Sequence, residues 1–363
     1  MKNLKVLFLC ALFVFPFRAL AQEDLIEYLP AGEADAKFLM DQYLSIMAAV
    51  VESGLNSGWY TTGDPHYKFG FEINAALNTI FIPSRENFFT VTSSDLGNSS
   101  LVKRETDGSY TILTTGEVPT GYGPEDVTPI FQITNPADPN AGAIFKGPSG
   151  NDLSDEFLIN AVIVPSLQLG IGIPYNMDIK IRYTPQYDYG DVKFGNWGVG
   201  LMHSIKQHIP ALKVLPFGWS LFIAYSRLNG EIDFSGQWTG NDQLGEFHSN
   251  TWTFQTIASK DFSIFTVYGG IGYNIGNTEF DIKGTYNIVD VNPGDGMRVP
   301  LNTPIVADLT SNPYHFAYDS QSLRMTLGLR MKLGPLIFFG DYTLQRTSVL
   351  TFGMGFTFKE DEF

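Results

Sequence analysis

Five histidines, His66, His203, His208, His248 and His315, are the side chains of this sequence best suited to proton transfer or metal binding at neutral pH. None stands beside a serine or aspartate in a motif that would mark a nucleophilic site. No catalytic residue is assigned on that ground, and the chain is expected not to be an enzyme. His203 and His208 lie five positions apart near a connection and could meet a metal ion, but no third ligand accompanies them, so no metal site is assigned. Asp138, Asp152, Asp155 and Glu156 lack the regular spacing of a calcium loop and read as solvated carboxylates. No cofactor is implied.

A second set carries more weight. Lys180, Arg182, Arg324, Arg330 and Lys332 fall on one face of alternating segments, opposite a row of apolar side chains, and Asp341 does the same. If that face lines a lumen, its cations would favour anionic solutes. The alternative, which is favoured, is that they pair with Glu72, Asp178, Glu279, Asp281 and Asp341 on the same inward face, because charges in a narrow interior need partners.

The elements that would hold these residues follow from composition and periodicity. Residues 1–21 run from Lys2 and Lys5 through an apolar stretch to Ala19-Leu20-Ala21, the order of a signal peptide cleaved before Gln22. The apolar stretch is shorter than the roughly 20 residues that cross a bilayer as a helix. Cleavage removes Cys10, the one cysteine, and with it any disulfide or thiolate ligand. It also removes Lys2, Lys5 and Arg18, so the mature chain is more acidic than the full chain at −15, which excludes nucleic acid as a partner. With 29 Phe, 17 Tyr and 36 Gly but no long apolar stretch, the chain either buries its aromatics in a soluble core or shows them to lipid.

Periodicity favours lipid. From Ser322 to Leu333, Leu323, Met325, Leu327, Leu329, Met331 and Leu333 alternate with Ser322, Arg324, Thr326, Gly328, Arg330 and Lys332. Similar runs occupy 67–78, 159–173, 178–184, 192–205, 217–226, 250–260, 262–275, 278–290, 336–345 and 350–358, many beginning or ending in Tyr, Trp or Phe. Apolar-out, polar-in segments of about ten residues with aromatic ends are the mark of a transmembrane antiparallel β-barrel. A short run at 87–92 brings the count to about 12, and two weaker runs at 110–114 and 129–133 to about 14, so the expectation is an all-β barrel of about 14 strands, with about 12 as the lower alternative. This count leaves 230–250 as a long loop on the periplasmic face, where long loops are unexpected.

Two segments are not wall. Phe38, Leu39, Tyr43, Leu44, Met47, Val50 and Val51 recur at helical spacing between Gly32 and Gly54, predicting an amphipathic helix ahead of the first strand. Residues 95–156 are rich in Gly, Pro, Asn, Asp, Ser and Thr and read as a long loop, as do 291–321. The expected organisation is a leader over 1–21, a helical hatch or plug over 22–60 with Phe38, Leu39, Tyr43, Met47, Val50 and Val51 on its buried face, and a barrel over 61–363.

Gly54-Leu55-Asn56-Ser57-Gly58-Trp59-Tyr60 after the helix, Asp233-Phe234-Ser235-Gly236-Gln237-Trp238, Tyr268-Gly269-Gly270-Ile271-Gly272-Tyr273 and a closing Ser348–Phe358 segment resemble an uncharacterised family of Gram-negative outer-membrane barrels. More distantly, the organisation is similar to the long-chain fatty acid and hydrophobic-compound transporters, whose barrel of fourteen strands is closed by an N-terminal hatch. Their Asn-Pro-Ala hatch signature is absent near the mature N-terminus; Asn135-Pro136-Ala137 lies elsewhere.

The resulting expectation is a monomer in the bacterial outer membrane, in contact with its lipid and with the barrel assembly machinery, that binds or transports small hydrophobic molecules. The alternative is a non-conducting structural, assembly or surface-interaction barrel.

Overall fold

The structure, a computed structural model, describes residues 23–133, 144–154, 159–189, 192–209, 216–235, 241–287, 308–309 and 314–358. The expected leader, Asn135-Pro136-Ala137, Asp138, Asp155, Glu156 and most of 291–313 lie outside the described residues.

Ten strands form one closed antiparallel barrel: β1 (Phe71–Phe81), β2 (Ala161–Ile173), β3 (Met177–Tyr189), β4 (Val192–Ser204), β5 (Gly218–Asp233), β6 (Leu244–Phe262), β7 (Phe265–Lys283), β8 (Tyr314–Leu333), β9 (Leu336–Leu344) and β10 (Val349–Phe358). Each pairs with its neighbours in sequence, and β1 closes the wall by pairing with both β10 and β2. No described helix is long and apolar enough to cross a membrane.

Ten strands replace the expected 14 for two reasons. The runs at 87–92, 110–114 and 129–133 pair with other short segments, the first with Thr115–Pro119 and the other two with Ser99–Arg104, in small sheets outside the wall. The runs at 250–260, 262–275 and 278–290 are one hairpin, β6 and β7, which turns at Ser263, whose φ is 57°. Merging them moves the 234–243 connection to the face that carries 82–160 and 284–313, and the 230–250 loop predicted on the opposite face disappears. It also reverses Glu279 and Asp281. As continuations of β7 they share the outward parity of Ile271 and Ile275, so they do not line the lumen as expected, and Asp281 instead accepts a contact from His315 Nδ1 at 2.7 Å.

The outer surface gives the height of the membrane. On β8 the outward side chains are apolar from Leu323 to Leu333 and polar above, at His315, Asp319 and Gln321. At about 3.3 Å per residue and a tilt near 40°, that band is about 25 Å tall, the height of a barrel's lipid-facing belt. Its upper edge carries aromatics in contact: the Trp197 and Tyr225 ring centroids lie 5.4 Å apart, and Tyr225 and Trp252 lie 5.0 Å apart. At the lower edge Phe71 and Phe358 lie 5.7 Å apart. Strands β5 to β8 continue above the band.

The connections differ by face. The lower face carries the tight turns at 174–176, 263–264 and 334–335 and one longer connection, 205–217; the upper face carries the short 190–191 and 345–348 and the longer 82–160, 234–243 and 284–313, two of which are the longest in the barrel. Residues 95–156, expected as a long loop, fold where described, together with 82–94, into two small sheets. Phe88–Thr92 pairs with Thr115–Pro119, and Ser99–Arg104 lies between Tyr110–Ile112 and Ile130–Ile133, the latter also pairing with Ile144–Lys146. They form a cap over the upper end. Its core includes Leu101, Val118, Tyr122, Phe131 and Phe145, continuous with the helix below. Burial pushes the Tyr122 phenol up, whereas hydrogen bonds from the side chain and backbone of Thr92 hold the exposed Asp95 carboxyl below the ordinary value. In the cap, Gly150 lies where a Cβ would run into the Gly123 carbonyl. Backbone cannot yield as a side chain tip can, so Gly150→Ala is expected to cost the cap about 1–3 kcal/mol, read as faster proteolytic cleavage within 82–160 while the barrel stays resistant.

The helix α1 (Glu33–Asn56) follows a 3₁₀ turn, Glu23–Ala31, and runs from cap to lumen. Its upper half is amphipathic, with Glu33, Ala34 and Lys37 exposed and Leu39, Met40, Tyr43 and Leu44 buried. From Ile46 to Asn56 every residue is buried. Full encirclement is the state expected of a helix enclosed by other structure, and the small Ala48, Ala49, Ser53 and Gly54 keep this part narrow.

Candidate functional site

The lumen is where the inward polar residues meet, and it is occupied. Chain 46–66 runs down its length, and the wall contacts it level by level. Highest, Glu52 accepts hydrogen bonds from Thr278 Oγ1 at 2.8 Å and from Ser320 Oγ. Thr347 Oγ1 donates to Ser53 Oγ at 2.6 Å.

At the next level the helix ends, and its last carbonyls have no partner within the helix. Two arginines supply partners from separate strands. Arg182 of β3 donates from Nη1 to the Leu55 carbonyl at 3.1 Å and from Nη2 to the Ser57 carbonyl at 2.9 Å, and its guanidinium lies 4.1 Å from the Trp59 ring centroid. Arg324 of β8 donates from Nη1 to the Asn56 carbonyl. Cations at a helix C-terminus also meet the negative end of its dipole. Gln168 Nε2 donates to the Trp59 carbonyl at 3.1 Å.

Below this clamp Tyr60 fills the cross-section. Its ring meets Phe222 and Tyr268 edge-on, each at 6.0 Å between centroids, and its hydroxyl donates to Gln255 Oε1 at 2.8 Å. Gly270 is required there, since a Cβ would strike the Tyr60 hydroxyl. Tyr268 in turn donates to Asp341 Oδ2 at 3.1 Å.

Lowest is a buried charge network. His66 Nδ1 lies 2.8 Å from Asp178 Oδ2, the His66 amide donates to Asp178 Oδ1 at 2.8 Å, and Lys180 Nζ lies 3.6 Å from Asp178. Glu72 lies 3.3 Å from Arg330 and accepts from Asn74 Nδ2 at 2.7 Å. His66 Nε2 also approaches Thr357 Oγ1 at 3.3 Å. Beneath it a vestibule of about 930 Å³, lined by Thr62, Asp64, His66, Asp261, Arg330 and Lys332, opens at the lower face.

The sequence-predicted cations are thus divided. Lys180 and Arg330 make the expected ion pairs; Arg182 and Arg324 instead hold backbone of the plug; Lys332 is half-buried at the vestibule. Asp341 lines the lumen as read, bonded to Tyr268. Leu39, Tyr43, Met47 and Val50 join the main core, Phe38 packs against it, and Val51 packs with Leu55 and Leu228. His66, which no sequence motif singles out, is buried in the lumen. The sequence offered one signal for this, the inward parity of Asp178, which alternation had identified as needing a partner. His203 and His208 do meet, with Nε2 atoms 2.8 Å apart, on the outer side of the lower rim. Among the described residues no cluster of three or more His, Cys, Asp or Glu could hold a metal ion.

A lipid-belted antiparallel wall around an internal helix is a plugged transmembrane β-barrel. The chain belongs to DUF6588, a family of unknown function, which matches residues 1–358. No curated protein matches. Among solved structures it is similar to the translocator domain of the autotransporter NalP from Neisseria meningitidis, at 10% identity over 90% of this chain and 99% of that one, with a TM-score of 0.26. It is also similar to the outer membrane protease OmpT from Escherichia coli, at 8% identity over 80% of this chain and 97% of that one, TM-score 0.32. A BenF-like porin from Pseudomonas fluorescens is similar at 9% identity over 80% and 98%, TM-score 0.18.

Proposed function

We propose that this protein is a bacterial outer-membrane barrel that conducts nothing in its resting state and serves as a platform, presenting the cap of residues 82–160 outward for interaction with a surface partner. The observation that carries this is the clamp: Arg182 and Arg324, from separate strands, both hold the end of α1 in the lumen. The outward placement of the cap follows from the barrel rule that short turns face the periplasm and long connections face the exterior. The platform needs no enzymatic activity and no cofactor, and it is complete as a monomer.

Binding or passage of small hydrophobic molecules is the second reading. It has one point in favour, an apolar chamber beside the helix lined by Val50, Val51, Leu55, Phe194 and Leu228. At about 30 Å³ it matches the volume of a single water, so a hydrophobic ligand would enter only with displacement of α1.

Purified protein in planar bilayers separates the two. The intact chain is expected to be silent, and a form lacking residues 23–60 is expected to conduct. Steady conductance by the intact chain would overturn the closed platform, and conductance that appears only with a hydrophobic compound would favour the second reading.

A further inference from the structure

The order of contacts along residues 23–70 fixes the direction in which the chain crosses the barrel. Tyr28 packs on Phe131 of the cap, with centroids 6.0 Å apart, and Asp35 binds the cap backbone at Gly97, Asn98 and Ser99. Glu52 then meets β7 and β8 above the lipid belt, at Thr278 and Ser320. Leu55 meets Ser226, Tyr60 meets Gln255, and the Gly63 carbonyl accepts from Ser220 at 2.6 Å, near the lower end of β5. The Phe69 amide donates to the Gly172 carbonyl beside a lower turn, and β1 begins at Phe71. The segment therefore enters β1 from the short-turn face, and its N-terminal end lies at the cap face, a full lipid belt away.

From this we propose that the barrel delivers its own N-terminal segment through its lumen to the outer face, so that its Glu23 end stands beside the cap at the cell surface. The cargo of the lumen, on this view, is a polypeptide: the chain's own residues 23–56, passed before α1 is fixed. A wall of Ser, Thr and Gln at Ser166, Gln168, Ser220, Ser226, Thr251 and Thr253 offers hydrogen bonds to any passing backbone without selecting a side chain. Direction comes from the far end. The apolar face of α1, with Leu39, Tyr43, Met47 and Val50, is buried in one core with cap residues Val118, Phe131 and Phe145, a burial available only after passage. The end of the helix is then fixed by Arg182 and Arg324.

This inference rests on the outward placement of the cap, so the test reads that placement separately. A short epitope is inserted in the full-length chain at one of three places: between Gln22 and Glu23, between Thr106 and Asp107 in a cap turn, or between Gly334 and Pro335 in a lower turn. Intact and permeabilised cells are stained, and heat-modifiable migration on gels confirms that each barrel has folded. The expected result is staining of intact cells for the first two, at comparable levels, and for the third only after permeabilisation. Staining of the cap epitope but not the Gln22–Glu23 epitope on intact cells would overturn self-delivery and leave the platform standing. Staining of the lower-turn epitope but not the cap epitope would overturn both. Should the N-terminal insertion fail to fold, E23C labelled with a membrane-impermeant maleimide gives the same reading.

Discussion

Replacing both clamp arginines, Arg182→Ala with Arg324→Ala, is expected to turn a silent barrel into one that opens intermittently in planar bilayers. In the intact protein three consecutive carbonyls at the helix end, those of Leu55, Asn56 and Ser57, accept hydrogen bonds from these two side chains, and the Leu55 carbonyl also accepts from Trp59 Nε1 and Ser226 Oγ. They are enclosed on all sides, with Leu55 and Asn56 buried and Ser57 fully so, so truncation leaves the Asn56 and Ser57 carbonyls to water that reaches them only if the plug shifts. Leaving a buried acceptor unsatisfied costs about 1–3 kcal/mol, and the lost contact between Arg182 and the Trp59 ring adds about 1–2 kcal/mol. A loss of about 2–5 kcal/mol at Arg182 corresponds to a shift of about thirtyfold or more toward the unplugged state. Arg182→Lys should fall between, since an ammonium keeps the charge at the helix end but cannot fork to two carbonyls. If the double variant is as silent as the intact chain while the form lacking 23–60 conducts, the clamp is not what closes the lumen.

The lipid-facing wall was legible because it is written twice in the sequence, as alternation along each strand and as aromatics at the strand ends. Ser322–Leu333 needed nothing more, and the structure places its odd positions toward lipid. Strand number was less legible because a period of two says which residues share a face but not whether adjacent runs are one strand or two. The segment 244–283 shows why. Above the belt its outward side chains change from apolar to polar at Asn277, Glu279 and Asp281, which mimics a strand end although the pairing with β6 continues to Lys283. The cap was missed for the opposite reason. Three of its strands were read, at 87–92, 110–114 and 129–133, but at three to five residues they are too short to show that they leave the wall, and Gly123 and Gly150, which read as loop residues, are there because two backbones cross closely.

At the site, the sequence identified which cations turn inward but not what they meet, and pairing by opposite charge was the natural expectation. It holds for Lys180 with Asp178 and for Arg330 with Glu72. It fails for Arg182 and Arg324 because their partners are main-chain carbonyls, which every residue possesses and no sequence pattern marks. The same blindness hid His66. Its partner Asp178 is 112 positions away, and only closure of the barrel, with β2 and β3 following β1, brings them together.

Asp35→Ala is expected to release the cap from the helix while leaving the lumen shut. The Asp35 carboxylate accepts from the backbone amides of Gly97, Asn98 and Ser99, at 2.9, 2.9 and 2.8 Å, and from Ser99 Oγ at 2.8 Å. These donors form a concave nest at the entry to the Ser99–Arg104 strand, and the carboxylate is 2% exposed, so the charge is held by oriented amides. It also sits in the first turn of α1, where a negative charge meets the positive end of the helix dipole. Hydrogen bonds to a charged group contribute about 1.5–3 kcal/mol each, but Gly97 and Asn98 can turn to water, so the net loss is about 2–4 kcal/mol. Asp35→Asn, which keeps one acceptor oxygen but no charge, should lose about half of that. The measurement is protease cleavage within 82–160 on intact membranes, expected to be at least tenfold faster for Asp35→Ala, with bilayer recordings still silent. Separation of the two readouts is the point of the experiment. The clamp lies at the opposite end of α1, so a cap that loosens without opening the pore means that docking and closure are independent functions of one helix. If the pore opens when the cap lets go, the cap bears on the plug and the platform is a lid.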